Sequence, residues 1–114
     1  NIMTKPGQTD GFSASDFVRV IGEYLSQKGA PCLPDIALVN TKKPDAPSLA
    51  HYKKQGAEPV ALDLATIRAM GVEVIAGDML SRRIVRRVAG DALARSTLRH
   101  DSDKTAKIIW KLIS

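Results

Sequence analysis

The sequence predicts an α/β fold with three layers, in which helices cover both faces of a short parallel sheet. Helix and strand signals alternate between residues 13 and 75, and such alternation implies right-handed crossovers between parallel strands. The strand candidates are short apolar runs with polar ends, as in strands that are buried on both faces of a sheet. A length of 114 residues suits one domain or part of one.

A loop opens the chain and leads into the first helix. Residues 1–12 carry glycine and proline but no hydrophobic period, which is typical of an ordered loop. Ser13 and Asp16 form a variant of the capping box that begins a helix, and Gly29 ends it. The apolar positions with helical spacing are Phe17, Val20, Ile21, Tyr24 and Leu25.

Strands and helices then follow one another. The three strand candidates are residues 35–40, 58–62 and 72–75. A helix over about residues 48–55 separates the first two. A short helix, capped by Asp63 and stopped at Gly71, separates the last two.

The C-terminal third is amphipathic. Residues 79–96 are basic, with apolar residues at helical intervals, and a final helix begins near Asp101 or Ser102. Its apolar face consists of Ala106, Ile109, Trp110 and Ile113. Three short strands make a thin sheet with an open edge, and the chain begins at Asn1 rather than at methionine. We therefore expect residues 1–114 to be the C-terminal part of a larger domain.

The charge of the chain leaves several partners open. The net charge is +5, and much of the excess lies in Arg82, Arg83, Arg86, Arg87 and Arg95. Such a cluster suits nucleic acid or an anionic ligand, but a solvated helical face is the preferred interpretation. Aromatic residues are 4% of the chain and do not alternate with the arginines, so we do not expect a nucleic-acid partner.

Cysteine content and hydropathy predict a cytoplasmic protein. Cys32 is the single cysteine, so no internal disulfide can form, as is usual in a reducing compartment. No apolar run approaches the roughly 20 residues of a membrane span, and we expect no membrane partner. With two histidines and one cysteine, the chain has no zinc-site spacing.

Four stretches carry a resemblance to a known family. They are Asn-Ile-Met-Thr-Lys-Pro-Gly-Gln-Thr-Asp-Gly-Phe-Ser at 1–13 with Ser-Asp-Phe-Val at 15–18; Leu38–Asn40; Tyr52 with 55–60 and Asp63; and 99–101 with Asp103, Lys104 and Ala106. In order and spacing they resemble the C-terminal part of the YvcK/CofD-like family, the gluconeogenesis factors. The resemblance is closer to the YvcK-type proteins than to the CofD phosphotransferases. Lys5 and Gln8 depart from it, since the family usually has Gln and Glu there.

The resemblance implies a Rossmann-like fold whose glycine-rich phosphate loop would lie upstream of this chain. It implies a regulatory protein that binds a UDP-sugar, acts in central carbon metabolism and in cell-envelope and cell-shape homeostasis, and forms a dimer at full length. No covalent cofactor and no catalytic residue are expected. The alternative is a phosphotransferase of the 2-phospho-lactate transferase type, which would need Mg²⁺.

The first group of candidate ligand-binding residues lies in the N-terminal loop. Thr4, Gly7, Thr9 and Asp10 offer hydroxyls, backbone N–H groups and glycine freedom just ahead of a helix. Such a loop can hold a phosphate or sugar hydroxyls. It can equally be a tight connector whose glycine satisfies a turn.

The second group lies further along the chain. Arg99 can grip a diphosphate through two parallel hydrogen bonds, His100 is a structural residue or a phosphate partner, and Asp101 can simply cap the last helix. Tyr52 can stack on a base or pack in the core, and the resemblance adds Asn40. We expect Arg99 and Thr4 to share one site near the carboxyl ends of the strands, where ligands of open α/β sheets bind.

Overall fold

The computed structural model describes residues 2–26, 29, 32–81 and 98–114. Within these ranges the elements are α1 (Ala14–Leu25), β1 (Ile36–Asn40), α2 (Ala46–Lys54), α3 (Leu64–Ala69), β2 (Glu73–Gly77) and α4 (Ser102–Ile113). The α/β class is confirmed. The arginine cluster of residues 82–95 lies outside the described residues.

The sheet of the described residues has two parallel strands. β1 pairs with β2 from Ile36–Glu73 to Asn40–Gly77, and the connection between them contains α2 and α3. The parallel pairing and the helical crossover are therefore as predicted. The carboxyl ends of both strands lie at the same edge, which positions the residues that follow Asn40 and Gly77.

The predicted strand at residues 58–62 is wrong. Pro59 and Ala61 form only isolated bridges, antiparallel with Met3 and parallel with Ser13. The N–H of Val60 donates to the Ile2 carbonyl at 3.1 Å, and Pro59 has no N–H to offer. The backbone of this segment therefore binds the N-terminal loop and the start of α1 instead of a neighbouring strand.

The core lies between α1, the sheet and α3. Its buried residues are Ala14, Val18, Val39, Val60, Ile67 and Val72. The buried stripe of α1 is Ala14, Ser15, Val18 and Gly22. Of the predicted face, Phe17 packs against the core, but Ile21, Tyr24 and Leu25 are 50%, 87% and 48% exposed. The stripe includes Gly22 because Leu33 crosses α1 there; a Cβ at Gly22 would lie 2.6 Å from Cδ2 of Leu33.

Two carboxylates hold the start of α1. As predicted, Asp16 accepts a hydrogen bond from the N–H of Ser13 at 2.9 Å. Asp63, which the sequence assigns as the side-chain cap of α3, makes no such bond in its own helix. Its carboxylate accepts instead from the Ser15 N–H at 2.9 Å and from the Ser15 hydroxyl. Asp63 therefore caps α1 from 48 residues away.

The last helix begins where the sequence predicts and exposes the apolar face that the sequence predicts. Asp101 is its N-cap and accepts from the N–H of Lys104 at 3.0 Å. Ile108 faces the sheet, since a Cβ at Gly77 would lie 4.0 Å from its Cδ1. Ile109, Trp110 and Ile113 are exposed. Among the described residues, no helix has the length and apolar character of a membrane span.

Candidate functional site

Asn40 joins the carboxyl ends of the two strands. This last residue of β1 is buried, and its Oδ1 accepts from the N–H of Met79 at 3.0 Å and of Lys42 at 3.3 Å. Its Nδ2 donates to the Lys42 carbonyl at 2.9 Å. Most of its hydrogen-bonding capacity is thus used by the protein, so Asn40 positions the loop that begins at residue 41.

The segment at residues 98–101 lies beside the chain that leaves β2. Leu80 and His100 form an antiparallel bridge, with the Ser81 N–H donating to the Arg99 carbonyl at 2.9 Å and the Asp101 N–H donating to the Met79 carbonyl at 2.7 Å. Met79 is the residue that Asn40 holds from the other strand. The structure therefore brings the predicted residues Asn40, Arg99 and His100 to one end of the sheet.

His100 differs from an ordinary surface histidine. Desolvation of its side chain lowers its pKa below the usual value near 6.5. Arg99, which is exposed, is the permanent cation of this segment.

Tyr52 connects α2 to the same segment. Its side chain is buried, and its hydroxyl accepts from the Leu98 N–H at 3.1 Å. A ring buried in this way does not present a free face for stacking on a base. In this structure Tyr52 positions the residue that precedes Arg99.

The N-terminal loop is closed by its own side chains. The Lys5 N–H donates to the Thr9 hydroxyl at 2.6 Å, and the Gly7 N–H donates to the Asp10 carboxylate at 2.7 Å. Gly7 adopts φ 76°, a conformation that favours glycine. These bonds are those expected of a tight connector, and a binding role for Gly7, Thr9 and Asp10 stays a prediction.

Thr4 anchors this loop to the segment that follows α2. It is buried; its N–H donates to the Glu58 carbonyl at 2.7 Å, and its hydroxyl accepts from the Glu58 N–H at 2.9 Å. A Cβ at Gly56 would lie 3.8 Å from Cγ of Pro6. The segment that follows α2 therefore contacts the loop through Glu58, and α2 itself contacts the Arg99 segment through Tyr52. A shared site of Thr4 and Arg99 remains a prediction.

A cleft opens at the carboxyl end of β1. Its volume is about 410 Å³. Its lining residues are Ile2, Asn40, Thr41, Lys42, Lys43, Pro44, Leu49, Pro59, Val60, Ala61 and Leu62. One wall is thus the loop that Asn40 holds, and the other is residues 59–62, which belong to the segment predicted as a strand.

Sequence reasoning missed the two lysines of this cleft. Lys42 and Lys43 lie in a polar loop that carries no motif. The signal that could have found them is their place directly after the carboxyl end of a parallel strand, where ligands of such sheets bind. For the metal-dependent alternative, the described part of the chain brings together no group of three His, Cys, Asp or Glu side chains that could hold a metal ion.

Comparison with known proteins agrees with these features. Residues 1–80 match the family described as 2-phospho-L-lactate transferase CofD. A protein of Thermotoga maritima, provisionally named a gluconeogenesis factor, is 32% identical over 112 residues, which are 98% of this chain and 32% of that protein. The gluconeogenesis factor of Bacillus subtilis is 27% identical over 113 residues, which are 99% of this chain and 31% of that protein.

Solved structures show the same fold. A crystal structure of a UPF0052 family protein from Bacillus halodurans has a TM-score of 0.75 and 28% identity, over 96% of this chain and 30% of that chain. A second crystal structure from that organism has a TM-score of 0.73 and 30% identity, over the same shares. The chain thus spans about a third of the length of these relatives. Because the family match extends over residues 1–80 of 114, the chain belongs to the CofD family.

Proposed function

We propose that this chain is part of a regulatory protein of the gluconeogenesis-factor type that binds a UDP-sugar. Its role would lie in central carbon metabolism and in cell-envelope and cell-shape homeostasis. The observation that carries the proposal is the cleft at the carboxyl end of β1, the edge at which open α/β sheets bind ligands. The names of the relatives support the metabolic role.

The dimensions and lining of the cleft suit a nucleotide sugar. Its volume of about 410 Å³ falls within the range of roughly 300–1,000 Å³ that is typical of small-molecule sites. Apolar side chains such as Leu49 and Leu62 line one part and suit the faces of a base or a sugar ring. Lysines line another part and suit phosphate oxygens.

Calorimetry tests this proposal against the phosphotransferase alternative. We expect UDP-glucose or UDP-N-acetylglucosamine to bind the full-length protein without being consumed. A phosphotransferase would need Mg²⁺ and would turn its substrate over. Absence of binding by either UDP-sugar, or Mg²⁺-dependent release of product, would contradict the proposal.

Arg99 is expected to contribute to the same affinity. In the full-length protein, Arg99→Ala should weaken UDP-sugar binding by about 1.5–3 kcal/mol, the range for a hydrogen-bonding partner that carries charge. Arg99→Lys should recover only part of this loss, because an ammonium cannot reproduce the planar fork of a guanidinium. Both variants are compared with the parent protein by calorimetry. Unchanged affinity in Arg99→Ala would make Arg99 a surface residue.

A further inference from the structure

We infer that Lys42 and Lys43 are the anion-binding edge of the cleft and hold a diphosphate group. The uncharged body of the ligand then lies against the apolar wall of the cleft. The inference rests on the proposed function for the nature of that body, but the diphosphate contact follows from the two lysines themselves. Nothing in the sequence motifs assigns a role to this pair.

The loop that carries the lysines is fixed before any ligand arrives. Asn40 binds both the N–H and the carbonyl of Lys42, and the Thr41 N–H donates to the Gly77 carbonyl at 2.9 Å. Pro44, directly after Lys43, is buried. A loop held at both ends loses little backbone entropy when a ligand binds, and such preorganisation favours affinity.

The two ammonium groups are available to an anion. Lys42 and Lys43 are exposed, and among the described residues neither forms an ion pair. The described residues that line the cleft include no carboxylate. The carboxylate of nearby Asp45 is turned to the start of α2, where it accepts from the Ser48 N–H at 2.8 Å. Glu58, next to the lining residue Pro59, is exposed.

The chemistry of the pair selects the ligand class. Two adjacent lysines supply two mobile point charges with three donors each, which suits the dispersed charge of linked phosphates better than a single carboxylate. The remaining wall is apolar, with Val60 and Leu62 among its residues, and offers nothing to a second charged group. In a diphosphate joined to an uncharged ring system, the phosphates suit the lysines and the ring system suits the apolar wall.

The test measures binding of inorganic pyrophosphate and of a UDP-sugar by calorimetry on the full-length protein. Lys42→Ala/Lys43→Ala should lower the affinity for both ligands by about tenfold or more. It should also flatten the dependence of affinity on salt. Lys53→Ala/Lys54→Ala is the matched control, since it removes the same charge from an exposed lysine pair at the end of α2. Its affinities should stay within about twofold of the parent.

Each outcome separates this inference from the proposed function. If the UDP-sugar binds the parent and the Lys42/Lys43 variant equally, or if both double variants lose the same affinity, the inference is overturned while the proposed function stands. If pyrophosphate binds through the lysines and no UDP-sugar binds, the anion site stands and the proposed function falls. If neither ligand binds the parent, both fall. Lys42→Arg/Lys43→Arg, which keeps the charge, should restore pyrophosphate binding and exclude misfolding as the cause of a loss.

Discussion

Single polar side chains hold together segments that are far apart in the sequence. Asp63 binds the start of α1 through Ser15, and Asn40 binds Met79. The sequence reveals that Asp63 precedes a helix but not which helix end receives its carboxylate, because capping preference is a local signal and the partner is chosen by packing. Asp101, whose partner lies three residues away, is predicted correctly for the same reason.

Replacement of Asp63 tests this long-range cap. Asp63→Ala removes the acceptor of the Ser15 N–H and should cost about 1–2 kcal/mol of unfolding free energy, the upper part of the range for a lost helix cap. Chemical denaturation measures the difference. Asp35→Asn, a change at an exposed carboxylate, is the control and should shift stability by no more than about 0.5 kcal/mol. Equal effects of the two changes would argue against the cap.

The hydrogen bonds between Ser15 and Asp63 also make the stability of the fold depend on pH. Burial alone would raise the pKa of Asp63, but the hydrogen bonds from the Ser15 hydroxyl and N–H outweigh it, so the pKa lies below its ordinary value. The contribution to stability is therefore complete above the ordinary pKa of about 4 and is lost as the pH falls through the lower folded pKa. Asp63→Asn should accordingly flatten the acid limb of a stability–pH profile. A profile identical to the parent would exclude this coupling.

Elements are connected through the contact between α2 and the segment before α4. The Tyr52 hydroxyl accepts from the Leu98 N–H, which fixes the chain just before Arg99. α2 thus positions the segment before α4, a role that its weak amphipathic pattern does not indicate. Its bounds, Ala46–Lys54, nevertheless agree with the predicted helix over about 48–55 to within the usual uncertainty of helix ends.

Tyr52→Phe tests this connection with the loss of one oxygen atom. The buried ring is kept and the Leu98 N–H loses the hydroxyl as its acceptor. The free energy of unfolding should therefore fall by about 0.5–1.5 kcal/mol. Tyr24→Phe is the matched control, because Tyr24 is 87% exposed and should change little. Denaturation curves of the two variants are compared with the parent. A neutral Tyr52→Phe would mean that the hydroxyl does not hold the segment.

Strong local signals predict the elements, and weak ones do not. The starts of α1 and α4 are predicted because their caps, at Ser13–Asp16 and Asp101, are local signals, and Gly71 follows α3 as expected. The predicted stop of α1 at Gly29 is wrong, since the helix ends at Leu25, where the N–H of Ser26 still donates to Gly22. The 58–62 segment looks like a strand because its apolar composition suits one, but its backbone partners are the N-terminal loop and α1. The edge of the sheet at which the cleft opens could be predicted. Its second wall, residues 59–62, could not, because that segment is predicted as a strand and meets the loop after β1 only in the folded chain.

At the scale of the whole molecule, the chain covers about a third of the length of its relatives. The sheet of the described residues has only two strands, and parallel sheets usually have both faces covered. Apolar residues on two helices are exposed, Tyr24 on α1 and Trp110 and Ile113 on α4 among them. Contacts within the described residues therefore leave these apolar surfaces uncovered.

The fluorescence of Trp110 reports whether the apolar surface of α4 is exposed, since Trp110 is the single tryptophan of the chain. It is 67% exposed, so the 114-residue chain should show the red-shifted fluorescence of a solvated indole and strong quenching by iodide. The lysines on either side of it, Lys107 and Lys111, should attract the iodide further at low salt. Blue-shifted, protected emission would show that the outer face of α4 is covered in solution.

We propose that a UDP-sugar binds at the carboxyl ends of the parallel strands. The most direct measurement is a titration of the isotope-labelled full-length protein with a UDP-sugar, followed by amide chemical shifts. We expect the largest changes at residues 40–43 and 60–62, which line the cleft, and at residues 99–101, the Arg99 segment. Shifts confined to residues 5–10 or to α4, or no shift at a saturating ligand concentration, would contradict it.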